Sequence, residues 1–238
     1  GQEVVPDSGC GSWLLEPQST NLVPFSEDFS SGSWVKTNSS VVSGFASPSG
    51  ILNAFKLIND ATASVNKYIR TIPSATSGTD YSLSLFAKKG EYDKLRIEDG
   101  NNSQGAWFDL SNGTLGTVGG SVVAKIEDYG NGWYRCSITK PSITTNIFFA
   151  IVGSNIENIQ VGDGTSGVYI WGAMLEQQSY ATSYIPTNGA ISTRLQDIAS
   201  NSGNATLINS TEGVLYAEIA ALEDLGTARR YISLSDGS

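Results

Sequence analysis

Asp128-Tyr-Gly-Asn-Gly-Trp-Tyr-Arg-Cys-Ser-Ile-Thr139 decides the reading of this chain. A glycine-rich turn opens onto a run whose side chains alternate in character. In an extended strand Tyr134, Cys136 and Ile138 share one face, and Trp133, Arg135 and Ser137 share the other. The first set is expected to point inward. The second sets an aromatic plate beside a guanidinium, a pair suited to holding a sugar ring. The sequence contains no histidine. Both features favour a binding module over a catalyst.

The same two-residue period recurs on either side of this stretch. Apolar runs of about four to nine residues alternate with turn clusters, and none has a helical period long enough to define a helix. The expected strands are Ser40–Gly44, Ala54–Ile58, Ser64–Ile72, Tyr81–Lys88, Lys94–Glu98, Ala106–Leu110, Val122–Ile126, Trp133–Thr139, Ile147–Val152 and Val168–Leu175. Ser111-Asn-Gly-Thr114 marks a hairpin, because Asn-Gly accepts positive φ at low cost. About ten strands at short spacing give an all-β fold, a β-sandwich of jelly-roll type.

Residues 1–20 read as an irregular lead-in and 21–187 as the sandwich. Residues 188–238 read as a linker and a β segment, with strands over Glu212–Leu222 and Arg230–Leu234. That last piece is too short to bury a core of its own. It is expected either to dock on the sandwich or to begin a second domain. The opening Gly1-Gln-Glu-Val reads as the middle of a longer protein.

Of the 238 residues, 39% are hydrophobic and only 16% charged, with a net charge of −9. Such a polar, weakly charged chain suits an extracellular or virion-surface protein. Its 14 basic residues are scattered, so nucleic acid is not an expected partner. No run of 18 apolar residues occurs, so no helix is expected to cross a membrane. Cys10 and Cys136 allow one disulfide, which the sequence leaves open.

Several motifs carry a family resemblance. They are Leu14-Leu-Glu-Pro-Gln-Ser-Thr-Asn-Leu22, Phe25-Ser-Glu-Asp-Phe29 with Trp34, Phe86-Ala-Lys-Lys-Gly90, Trp107-Phe-Asp-Leu-Ser-Asn-Gly-Thr114, Asn131-Gly-Trp-Tyr-Arg-Cys136, and Val168-Tyr-Ile-Trp-Gly-Ala-Met-Leu-Glu176 through Ser183-Tyr-Ile-Pro-Thr187. Over about residues 10–190 the chain resembles a module of phage tail-fibre and head-spike proteins. Such modules are similar to the galactose-binding and carbohydrate-binding β-sandwiches attached to glycoside hydrolases. The segments Glu212–Ile219 and Tyr231–Gly237 resemble the opening strands of a laminin-G or concanavalin-like domain. The resemblance implies a lectin-like host-adhesion role on bacterial surface glycans, and phage fibres are often trimers. It assigns no individual binding residue.

The candidate ligand residues come from the strands themselves. Lys94, Arg96 and Glu98 share one face of a strand, Trp107 and Asp109 one face of another, and Trp133 and Arg135 one face of a third. As neighbours in one sheet they would form a polar groove with two exposed tryptophan plates, suited to a polysaccharide. Alternatively, they are an ordinary solvated outer face. Trp34 is expected to plug one end of the sandwich and Trp171 to pack in its core. The resemblance further implies a structural calcium shared by an N-terminal acidic loop and the final strand, here Glu27 and Asp28 together with Glu176, whose carboxylates suit that ion. Without histidine, a hydrolase would need paired carboxylates, for which Glu98 and Asp109 are candidates, and a lyase a lone carboxylate with Tyr92 or Tyr129. The expected function is non-catalytic glycan binding. The rival readings are a spacer or oligomerisation module of a fibre, and a glycan-cleaving domain.

Overall fold

The alternation reappears strand by strand. The computed structural model describes residues 2–4, 12–63, 66–76, 78–99, 104–140, 149–159 and 161–198. Among them the strands are β1 (Gln2–Val4), β2 (Ser12–Leu14), β3 (Ser19–Asn21), β4 (Val35–Thr37), β5 (Ser39–Phe45), β6 (Ala54–Asn59), β7 (Tyr68–Thr71) and β8 (Tyr81–Lys88). They continue as β9 (Lys94–Glu98), β10 (Gly105–Asp109), β11 (Thr114–Gly119), β12 (Val123–Asp128), β13 (Trp133–Lys140), β14 (Phe149–Ser154), β15 (Gly167–Glu176) and β16 (Ser192–Arg194). No helix occurs among the described residues.

Two antiparallel sheets of six strands each form the body. The first has the order β11-β10-β9-β14-β7-β4, and the second β12-β13-β8-β15-β6-β5. The inward residues of both meet in one apolar cluster that includes Leu83, Leu85, Leu95, Ile97, Phe108 and Ile138. This is the β-sandwich expected from the period-two pattern. Cys136 lies in the same cluster as a free thiol, which burial pushes well above its usual pKa. Cys10 lies outside the described residues.

The turn that opens the deciding stretch is built by three consecutive left-handed residues. Gly130, Asn131 and Gly132 have φ of 79°, 53° and 78°. They reverse the chain between β12 and β13, whose register runs from Asp128↔Tyr134 to Val123↔Thr139.

Residues 1–20 are not wholly irregular. β1 pairs with β2, and β3 pairs with β16. Three-residue strands without alternating apolar positions leave little pattern to read, which also hid β4 and β16. The chain divides into units Gly1–Asp197 and Ile198–Ser238. The expected strands at Glu212–Leu222 and Arg230–Leu234 lie outside the described residues.

A segment from each end of the first unit completes the second sheet beside β15. β6 pairs with β15 only over residues 167–170. Beyond that, residues 22–26 run antiparallel along β15, with Leu22 N–H donating to Leu175 O (2.8 Å) and Ala173 N–H to Ser26 O (2.9 Å). Residues 182–188 then lie along residues 21–26. The buried Asn21 side chain fastens three strands of chain at once. Its Nδ2 donates to Ala173 O and Ile185 O, and its Oδ1 accepts from Val23 N and Leu175 N. Thr187 and Ser26 exchange three further bonds.

Candidate functional site

The outer face of the first sheet brings together five of the seven residues expected to contact a ligand. β9 and β10 are neighbours, with Arg96 opposite Trp107, Lys94 opposite Asp109 and Glu98 opposite Gly105. The Arg96 guanidinium lies 5.7 Å from the Trp107 ring centre, a cation–π contact, and 3.0 Å from the Glu98 carboxylate. Lys94 lies 2.7 Å from Asp109 and 3.5 Å from Asp93. β14 and β7 continue the face. Ala150 stands opposite both Glu98 and Arg70, and the Arg70 guanidinium lies 5.4 Å from the Tyr68 ring centre. Two guanidinium-on-aromatic pairs therefore flank one carboxylate across four strands.

Burial sets the electrostatics of this face. Desolvation raises the Glu98 pKa against the pull of Arg96, and Asp99 adds to the rise. Desolvation also opposes the charge on Asp109, but hydrogen bonds from Lys94 and Ser111 outweigh it and bring that carboxyl down to about 2. Lys94 is raised because its carboxylate partners outweigh its own desolvation.

Trp107 is not the exposed plate expected from alternation, being only 5% exposed. β11 curls over it through a register shift opposite Trp107. Gly116 makes the closure possible, since a side chain there would run into Glu157 and the Trp107 Cβ. Glu157 in turn accepts from Thr117 N, which holds the loop after β14 against β11. The ring's contribution to the face is therefore to support Arg96 from below.

Trp133 and Arg135 do not join this face. β13 belongs to the second sheet, between β12 and β8. There Trp133 is 2% exposed and packs with Ala54, Phe86 and Trp171. Arg135 is 8% exposed; its Nη2 donates to Ser84 Oγ (3.1 Å) and Thr182 O (2.5 Å). Burial pulls its pKa down. The alternation was read correctly, but Thr182 and the aromatic cluster of Phe86 and Trp171 cover the face it defines. Trp171 is buried in this outer aromatic cluster, not between the sheets. Trp34 packs on Phe29 in the inter-sheet core and donates from Nε1 to Phe25 O.

The proposed carboxylate pair does not form across the strands. Glu98 and Asp109 sit at opposite ends of the β9–β10 ladder, four residues or about 13 Å apart along it. Tyr92 is buried in the core, and Tyr129 packs its ring on Phe86 on the other sheet.

The acids expected to hold calcium also stay apart. Glu176 lies beside Ser19, at one end of the segment that runs along β15, while Glu27 lies past the other end. The buried Glu176 carboxylate accepts from Ser19 Oγ, Thr182 N and Thr182 Oγ1. Glu27 accepts from Asn53 and Tyr184, and Asp28 caps Ser30. Among the described residues no three metal-binding side chains converge. The donor set named from sequence does not fit a calcium ion.

Tyr68 and Arg70 were missed. Their strand was expected, and its Tyr-x-Arg alternation is the signal that would have placed them beside Trp107 and Arg96. Asn21 carried no such signal, because three of its four partners, Ala173, Leu175 and Ile185, lie in distant segments.

No protein-family model and no curated protein matches this chain. Among solved structures, it is similar to the enzymatically active domain of tailspike protein 4 of bacteriophage CBA120, at 16% identity and TM-score 0.35, over 65% of this chain and 21% of that one. It is also similar to the CBM22-1–GH10 modules of Clostridium thermocellum endo-1,4-beta-D-xylanase 10B complexed with xylohexaose, at 14% identity and TM-score 0.36, over 73% and 30%. The chain thus spans less than a third of either. The flagellar cap protein of Escherichia coli matches at 17% identity and TM-score 0.18, over 75% and 57%.

Proposed function

We propose that the unit Gly1–Asp197 is a non-catalytic carbohydrate-binding module that takes a polysaccharide or surface glycan on the outer face of the first sheet. The observation that carries this reading is the continuous row of Trp107, Arg96, Glu98, Arg70 and Tyr68 on neighbouring strands. Sugar hydroxyls need fixed donors and acceptors, and here guanidinium N–H groups stand beside a carboxylate. Arg96 and Arg70 are held by aromatic rings, which lowers the entropy lost when they bind. Lys94 and Asp109 close one end of the row. The setting we propose, after the resemblance of residues 10–190, is a virion adhesion protein at the virion surface, within a homo-oligomeric fibre.

The test is a glycan array followed by titration calorimetry on the strongest hit, with Arg96→Ala and Trp107→Phe alongside the parent and product release monitored on the same glycans. Selective binding without new reducing ends, weakened at least about tenfold by Arg96→Ala, is the expected result. Arg96→Ala binding as the parent does, while still folded, removes the assignment of this face. Release of products replaces the binding module with an enzyme.

One observation favours a second reading. Trp107 and Trp133 are both buried, as a structural spacer in a fibre would have them. A blank array from folded protein, with a trimeric mass by sedimentation, selects that reading.

A further inference from the structure

A cleft of about 240 Å³, open to solvent, lies between the β3 segment and the loop that follows β15. It is lined by Gln18, Ser19, Thr20 and Leu22 from the first and by Gln177 and Gln178 from the second. Its walls are tied in four places. Leu22 N–H donates to Leu175 O (2.8 Å), and Gln178 Nε2 donates to Gln18 O (3.0 Å). Thr20 Oγ1 and Thr193 Oγ1 share a hydrogen bond of 2.8 Å, which ties β3 to β16. Ser19 Oγ donates to the buried Glu176 carboxylate (2.6 Å), which also accepts from Thr182 N and Thr182 Oγ1. The cleft shares no residue with the row of Trp107, Arg96, Glu98, Arg70 and Tyr68.

The lining selects the chemistry of an occupant. None of the six residues is charged, so an ionic group entering the cleft would meet no counter-ion there. The occupant is therefore neutral. Five of the six carry hydrogen-bonding side chains, and Gln18 and Gln177 among them are exposed. A glutamine amide presents N–H donors and a carbonyl acceptor side by side, and neighbouring sugar hydroxyls, each a donor and an acceptor, match that pair. The half-buried Leu22 adds apolar surface for ring carbons. Size narrows the choice further. Pockets that enclose drug-sized ligands hold roughly 300 to 1,000 Å³. A cleft of about 240 Å³ takes one sugar unit and leaves the rest of a chain outside. Walls already tied by hydrogen bonds lose little freedom on binding.

We infer that this cleft takes the terminal unit of a neutral glycan, with Gln18 and Gln177 bonding ring hydroxyls and Leu22 meeting ring carbons. The inference rests on the glycan-binding reading and adds recognition of a chain end to the row that takes a chain along the first sheet. Two sites on one module bind a multivalent glycan surface more tightly than either alone.

Side-chain signals of ¹⁵N-labelled protein follow both sites in one experiment. The amide signals of Gln18, Gln177 and Gln178 are assigned with single Gln→Ala variants, and the Trp107 indole signal with Trp107→Phe. The protein is titrated with neutral trisaccharides of glucose, xylose, mannose, galactose and N-acetylglucosamine, and with the methyl glycosides of the same sugars. The expected result is a saturable shift of the three glutamine signals with at least one trisaccharide and with its methyl glycoside. Read at Gln178, the affinity should fall about fivefold in Gln18→Ala or Gln177→Ala and more than about tenfold in the double variant. Both positions are exposed, and Gln18→Ala keeps the backbone carbonyl that Gln178 uses, so the variants retain the fold. If Trp107 moves and the glutamines stay fixed, the cleft is wrong and the first-sheet reading stands. If the glutamines move and Trp107 stays fixed, the cleft stands and the first-sheet face loses its assignment. If all stay fixed, both fall. A Gln178 shift with unchanged affinity in the double variant overturns the inference, as does equal binding of capped tetra-alanine, which would make the cleft a peptide site.

Discussion

The outer faces of the two sheets start from the same sequence signal and end differently. Each presents a tryptophan and an arginine, Trp107 with Arg96 on the first sheet and Trp133 with Arg135 on the second. On the first sheet Arg96 remains at the surface of the face, stacked on Trp107 and paired with Glu98. On the second, the segment at Thr182 closes over Arg135, and its guanidinium becomes a fastener between β13 and Thr182. An arginine that keeps access to solvent can exchange its partners for a ligand. A buried one cannot leave without exposing an unsatisfied carbonyl. The difference lies in what covers each strand and not in the strands themselves.

Substitutions can break this contrast, and the largest effect is expected at Asn21. Asn21→Ala strips partners from four backbone groups in a buried place and should cost about 3 to 4 kcal/mol in urea unfolding. A loss below about 1 kcal/mol would show that the chain ends are held without it. Arg135→Ala comes next, at about 2 to 3 kcal/mol, with a red shift in tryptophan emission as Trp133 and Trp171 become wet. Arg96→Ala should cost about 1 to 2 kcal/mol of stability, because the buried Glu98 carboxylate it leaves behind can take up a proton, while weakening glycan binding. Equal stability losses at Arg96 and Arg135 would erase the distinction between the two faces.

The smallest expected effects are on pH dependence, and they differ in sign between Asp109 and Glu176. Asp109 has a folded value of about 2 against an ordinary 3.8. Its contribution is present above the ordinary value and lost as pH falls from there towards the folded one. Asp109→Asn should remove that part of the acid loss. Glu176 is raised by burial, with its hydrogen bonds and Arg135 opposing the rise. Its contribution is greatest below the ordinary glutamate value and is lost as pH rises through the raised one. Urea midpoints between about pH 2 and 7 for the two variants, Asp109→Asn and Glu176→Gln, measure the opposition. Parallel profiles would refute it.

Much of this protein was legible one strand at a time. The period-two runs at Tyr81–Lys88, Lys94–Glu98 and Trp133–Thr139 fixed which side chains face inward, since a strand places alternate residues on opposite faces whatever its neighbours are. The glycines at 130 and 132 fixed a reversal, because the left-handed conformation there costs glycine little. Pairing was not legible. That β13 lies with β8 in the second sheet, away from β9 and β10, depends on which edges meet across long loops. Covering was not legible either. Asn21 and Thr182 gain their roles from partners about 150 and 50 residues away, and no local pattern encodes such contacts. The sequence by itself therefore determined direction, inward or outward, for the side chains of these period-two strands. The tertiary structure alone decided whether outward meant solvent, because that depends on which distant segment comes to lie on top.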